Sequence, residues 1–204
     1  VARSAPQPAV ERIVEPVAHA LVVGVVPGQP ELVVRTAARW ALAVGGTLHL
    51  AYVDTGRYVV EEHPDGTVRH APVDPDGVDD TWDTVEADLR AWVEQLLGPT
   101  SAPTGIPTGI PTGILTGIPT STASAAVPWV LHYLAGRPDR ALTHLARAVD
   151  AAAIVVGTRA PGPGSKLREL VDGSVAVHLA HHQHRPVLTV PLDVVDWTAT
   201  RSPW

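Results

Sequence analysis

Glycines and hydroxyls around residue 160 are the first candidates for chemistry. The segment Gly157-Thr158-Arg159-Ala160-Pro161-Gly162-Pro163-Gly164-Ser165 is rich in positions without a bulky side chain. Such a loop lets backbone N–H groups approach phosphate oxygens, and a helix start adds unpaired N–H groups and a positive dipole end. Gly173-Ser174-Val175 has the character of a helix start, with a hydroxyl on Ser174. Arg159, Lys166 and Arg168 could supply charge. A second loop, Val25-Val26-Pro27-Gly28, follows an apolar run and would face the same crevice if the two strands are neighbours. The plainer reading is that Gly and Pro only shape a surface loop.

Other candidates are weaker. His178 and His182 stand four apart on one helical face, a spacing able to bind zinc. No His-Glu-x-x-His pattern accompanies them, no nearby carboxylate completes a site, and His is favoured at a helix C-terminus anyway. No metal site is expected. Ser165, Ser174 and Ser202 lack the Gly-x-Ser-x-Gly elbow of a serine hydrolase. Glu61-Glu62 and Asp79-Asp80 are sequence neighbours, whose side chains diverge on a strand or a helix. The six Trp suit packing better than a ligand cage.

Composition narrows the choice further. The 204 residues contain no Cys, which excludes thiolate metal sites, disulfides and a cysteine nucleophile. Met and Phe are absent too, so the core must be Val, Leu, Ile and Ala with a few Trp. Net charge is −6 and Lys166 is the single lysine, so the basic footprint of a nucleic-acid-binding surface is missing. No apolar run approaches the roughly 20 residues of a membrane span. Val1 to Pro8 lack the basic-then-apolar order of a secretory signal, so a cytoplasmic location is expected.

The elements that must position these residues can be read in order. Residues 1–17 read as a flexible tail. His19 to Val26 is a continuous apolar run, as in a strand buried on both faces. Pro27 to Pro30 breaks it. From Glu31, Leu32, Val33, Ala37, Trp40, Ala41 and Val44 share a helical face that Gly45-Gly46 ends. Thr47 to Val53 is a second strand. Residues 57–74 read as a hairpin turning at Asp65-Gly66. A second helix carries Trp82, Val85, Leu89, Trp92, Val93, Leu96 and Leu97 inward. Residues 99–124 repeat Pro-Thr-Gly-Ile with a period of four, which suits neither helix nor paired strand and reads as an insertion in a tolerant loop. Val127 to Leu134 is a third strand. A helix striped with Ala141, Leu142, Leu145, Ala146 and Val149 follows, then a fourth strand at 151–156. A helical segment from about Lys166 to His184 is interrupted at Asp172-Gly173-Ser174, and Val187 to Val190 is a fifth strand. Residues 193–204 are a second tail.

Strand–helix alternation of this kind predicts an α/β fold: a five-stranded, flavodoxin- or Rossmann-like parallel sheet with helices on both faces, plus a β-hairpin insertion and a low-complexity loop. Ligands of such sheets bind at the carboxyl ends of strands where the strand order reverses.

Val155-Val156-Gly157-Thr158-Arg159, Gly173-Ser174-Val175 and Arg185-Pro186-Val187-Leu188-Thr189-Val190 resemble the C-terminal signature of the universal stress protein (UspA-like) family. The first strand, its Pro-Gly turn and the helix containing Ala38-Arg39-Trp40-Ala41 are similar to the family's N-terminal half. The resemblance spans about residues 18–192, less the hairpin and the repeat. It implies homodimers, often paired through the last strand, here Val187, Leu188, Thr189 and Val190. It also implies a division into members that bind ATP and members that do not. The ATP-binding members carry Gly-x2-Gly-x9-Gly-Ser/Thr. Gly157 fits the first position and Gly173-Ser174 the last, but Ala160 stands at the second, and twelve residues separate it from Gly173. ATP-binding members also end the first strand in Asp, which bonds the ribose; Val26 occupies that place. By the same resemblance, Val53 and Val156 would lie against adenine.

The expectation is a stress-response ligand-binding module, a homodimer, without robust turnover beyond slow hydrolysis of bound ATP. Its nucleotide crevice would be weakened and built from Val26, Val53, Val156, Gly157, Arg159, Gly173, Ser174 and Val175, with ATP as the candidate ligand. The alternative is a degenerate interaction protein that keeps the fold without nucleotide. Neither nucleic acid nor membrane is expected as a partner.

Overall fold

A computed structural model describes residues 13–62, 68–73, 81–99, 127–158 and 174–192. The expected insertion at 99–124, apart from Pro99, lies outside the described residues, as do the Asp65-Gly66 turn and residues 193–204.

The apolar runs form strands because they can be buried on both faces of a parallel sheet. Strand β1 is Leu21–Gly24, followed by helix α1, Leu32–Val44, and β2, Leu48–Asp54. Strands β3 (Arg57–Glu62) and β4 (Val68–Pro72) pair antiparallel as the expected hairpin, with a register shift between Val59 and Glu61. Helix α2 is Thr81–Leu97, β5 is Trp129–Ala135, α3 is Pro138–Ala148 and β6 is Ala153–Gly157. Helix α4 is Ser174–His182 and β7 is Val187–Val190. Among the described residues, five strands form one parallel sheet in the order β5-β2-β1-β6-β7. The order reverses between β1 and β6.

Successive residues of β1 feed opposite layers, as the pleat requires. Leu21, Val23 and Val25 pack with Val33, Val34, Ala37, Ala38 and Ala41 of α1 and Val93 of α2. Val22 packs on the other side with Ala51, Val53, Ile154 and Val156, under Leu142, Leu145 and Ala146 of α3 and Leu179 of α4. The stripe expected on α3 is the one buried. On α1 the stripe is rotated. Leu32 and Trp40 are 49% and 54% exposed, while Val34 and Ala38 are buried instead. Three alanines on the inward face let α1 lie close to the sheet, and the bulky Trp40 is left outside.

Helix ends follow local chemistry. Gly45 closes α1 at φ 68°, a left-handed conformation that Gly adopts without a Cβ penalty. Helix α3 opens with Pro138, whose missing N–H costs nothing there. Asp139 in its first turn and Arg147 in its last complement the dipole. No described helix is long and apolar enough to cross a membrane.

Candidate functional site

The expected adjacency holds. Strands β1 and β6 pair directly, Leu21 with Ala153, Val22 with Ile154 and Val23 with Val155, so their following loops leave side by side. Past β1, the Val25 N–H bonds the Ala51 carbonyl at 2.9 Å, and the chain turns at Pro27-Gly28, where Gln29 N–H reaches the Val26 carbonyl at 3.2 Å. Val26 is half-buried. Its N–H donates to Gln29 Oε1 at 3.2 Å. That bond fixes the amide's orientation, because only the oxygen can accept from an N–H. Gln29 Nε2 is then buried with no partner among the described residues. A buried donor left unpaired is costly, on the order of 1–3 kcal/mol, and calls for an explanation. Sequence reasoning passed over Gln29 as part of a strand-breaking loop; the signal was a polar residue inside Pro27 to Pro30.

Across the switch point, β6 ends at Gly157. A Cβ there would come within 2.9 Å of both Leu192 Cδ1 and Val33 Cγ2, so any larger residue would have to displace those side chains. Thr158 ties the strand ends: its N–H donates to the Val190 carbonyl at 2.8 Å, and its Oγ1 accepts from Leu192 N–H at 2.8 Å. Val53 and Val156, only 5% and 6% exposed, lie in one apolar cluster, and Val175 packs against it. The fold thus gathers three of the eight expected site residues. Ser174 is the first residue of α4. Arg159 and Gly173 lie outside the described residues, as do Ala160, Gly162, Gly164, Lys166 and Arg168.

Residues 114–191 match the model of the universal stress protein family. This part of the chain, less than half of it, is similar to that family. The match includes β5, α3, β6, α4 and β7. UspA from Lactobacillus plantarum is 16% identical, with 85% of this chain and 98% of that one covered and a TM-score of 0.52. A universal stress family protein from Burkholderia pseudomallei is 15% identical, covering 85% and 96%, with a TM-score of 0.51. A universal stress protein from Archaeoglobus fulgidus, solved in complex with dAMP, is 18% identical, covering 84% and 96%, with a TM-score of 0.49. At these identities the likeness to the first two shows the shared fold. No curated protein sequence matches the chain.

Two polar clusters on this fold were not singled out in the sequence. At the ends of β2 and β5, Tyr133 Oη donates to Asp54 Oδ2 at 2.5 Å, and Asp54 Oδ1 accepts from Gly56 N–H at 2.8 Å. Burial, followed by the bond to Asp54 and its charge, pushes the Tyr133 phenol far above its ordinary range. Tyr52 packs edge-on against Tyr133, and burial followed by the Asp54 charge raises it too. The Asp54 carboxylate is therefore engaged by two donors and is poorly placed to act as a base. On the other face of the sheet, His49 Nδ1 and His132 Nε2 lie 2.9 Å apart with stacked rings. Burial, then His49, holds His132 down to about 4; burial also lowers His49. Both rings are neutral near pH 7, so one nitrogen donates and the other accepts. Among the described residues no group of three or more His, Asp or Glu could hold a metal ion.

A cavity of about 520 Å³ opens at the opposite end of the strands, lined by residues that include His19, Arg147, Asp150 and Arg185. Arg185 bonds the Asp150 carboxylate at 2.7 Å and also the Ala151 carbonyl. It joins the approaches to β6 and β7, at the end of the sheet opposite the carboxyl ends of β1 and β6.

Proposed function

We propose that the chain is a stress-response ligand-binding module whose crevice, at the carboxyl ends of β1 and β6, takes ATP or a related nucleotide weakly and without turnover. The observation that carries this reading is the reversal of strand order between β1 and β6, the position at which open α/β sheets bind ligands. The phosphates would meet the loop after Gly157 and the start of α4 at Gly173-Ser174, with Arg159 supplying charge. The base would meet the apolar cluster of Val53, Val156 and Val175. Gln29 Nε2 supports the reading, being a buried donor on the β1 side without an acceptor among the described residues. Val26 offers the sugar no acceptor, which accounts for weakness. Asp54, His49 and His132 are engaged by other groups and are poorly placed to act as a general base. Assembly is proposed as a two-fold dimer through β7, which is an edge strand of the sheet among the described residues.

Calorimetry with ATP tests this. Val26→Asp should tighten binding about tenfold if the new acceptor contributes ~1.4 kcal/mol. Gly173→Val should abolish it by crowding the phosphate approach. Absence of binding in wild type, with none created by Val26→Asp, would establish the alternative, an interaction protein that retains the fold without nucleotide.

A further inference from the structure

Helix α1 leaves an indole in solvent that neither the core nor the crevice accounts for. Trp40 is 54% exposed. Val33 fixes the side of the helix on which it stands: Val33 Cγ2 and Leu192 Cδ1 both crowd the Cβ position of Gly157 in β6. Trp40 follows Val33 by almost two full turns, so it shares that flank, a little farther from the buried stripe and toward β7. Those turns span about 10 Å, as do about three strand residues. Gly157 pairs with Val190 and Ile154 with Val187, so Trp40 stands level with the start of β7. Thr36 and Ala43 share its flank, while the exposed Arg35 and Arg39 lie farther round the helix. Strand β7 is uncharged as well, without the charges that usually guard an edge. The Pro186 and Val190 carbonyls accept from Ile154 and Thr158 N–H groups, so strand alternation turns the N–H of the exposed Thr189 away from β6.

From this we propose that the Trp40 flank of α1 is a docking surface for a second copy of this chain, with Trp40 as its anchor. The inference rests on the two-fold assembly through β7 put forward above. Two-fold symmetry sets each residue near the axis against its own copy, where a charge would repel itself. An uncharged flank beside an uncharged strand fits such a partner. Antiparallel pairing of two β7 strands about that axis keeps both α1 helices on one face of a continuous sheet. Helix α1 packs mainly on β1 and β6. With strands about 4.8 Å apart, the two helix axes come to lie roughly 20 Å apart, about twice the separation of packed helices. The gap lies over the paired strands, on the face where Leu188 packs with the α1 cluster. An indole from each copy reaches into that gap and covers Leu188. Trp is among the residues most enriched at the energetic centres of interfaces.

The experiment is sedimentation equilibrium of the full chain over a concentration series, with circular dichroism to show that each variant is folded. Wild type should dimerise. Trp40→Ala should weaken the dimer at least about tenfold, as loss of a central anchor does. Trp40→Arg sets two like charges across the axis and should leave monomer. Leu42→Ala is the control: Leu42 is 46% exposed on the far flank, and its loss should change the dissociation constant less than about twofold. Thr189→Pro removes the outward N–H while sparing the bonds to β6, so it tests the β7 pairing itself and should give monomer. If Thr189→Pro fails to fold, Thr189→Lys, a charge on the edge, replaces it. A dimer lost in the Thr189 variant but intact in Trp40→Ala and Trp40→Arg overturns the role of Trp40 and leaves the β7 pairing standing. Wild type that stays monomeric, or a dimer that survives the Thr189 variant, overturns both.

Discussion

Stability should fall on mild acidification because of a histidine pair that native packing keeps neutral. His132 is held down to about 4 by burial and then by His49, against roughly 6.5 in an unfolded chain. Below pH 6.5 the unfolded chain takes up a proton at this position and the native one does not. Unfolding then consumes protons, so stability drops as pH drops, until the native ring itself protonates near pH 4. For His132 the full effect across that window is about 3 kcal/mol, and from pH 7 to pH 5 it is about 2 kcal/mol. In a chain of this size that is a midpoint decrease of about 4–8 °C. His49, also lowered by burial, adds in the same direction. His132→Gln keeps a side chain able to hydrogen-bond His49 but does not titrate. Urea unfolding at pH 7 and pH 5, read by tryptophan fluorescence, gives the loss for each protein. The loss in wild type should exceed the loss in the variant by about 2 kcal/mol, whatever the variant's stability at pH 7. Equal losses in the two proteins would refute the reasoning, because His132 would then titrate alike in both states.

Trp129 is fully buried and donates its indole N–H to the Gly98 carbonyl at 3.1 Å. Trp129→Ala should cost about 3–5 kcal/mol in urea unfolding. Gly157→Val forces branched carbons against Leu192 and Val33 and should cost about 1–3 kcal/mol with or without nucleotide; unchanged stability would mean that the glycine serves only the loop after it. Sedimentation at micromolar concentration should show a two-fold dimer, and monomer alone would remove the role assigned to the β7 edge.

The local elements were legible in the sequence because their causes are local. Continuous apolar runs such as Leu21 to Val23 and Ile154 to Val156 need burial on both faces, and Gly45 ends a helix by a conformation few other residues accept. Their alternation with helices restricted the fold to a parallel α/β sheet, and the absence of cysteine closed off whole classes of chemistry. Which face of α1 turns inward was decided by fit to the sheet. Periodicity permits several overlapping stripes, and close packing kept the expected Val33, Ala37 and Ala41 inside and added Val34 and Ala38 in place of Leu32 and Trp40. Only the tertiary structure brought β1 beside β6, and His49 beside His132 across 83 positions of chain. The same holds for Gln29, an ordinary loop residue until Val26 claims its oxygen and burial strands its nitrogen. Burial and hydrogen-bond satisfaction are properties of the assembled surroundings, and residue spacing carries no record of which distant strand will supply them.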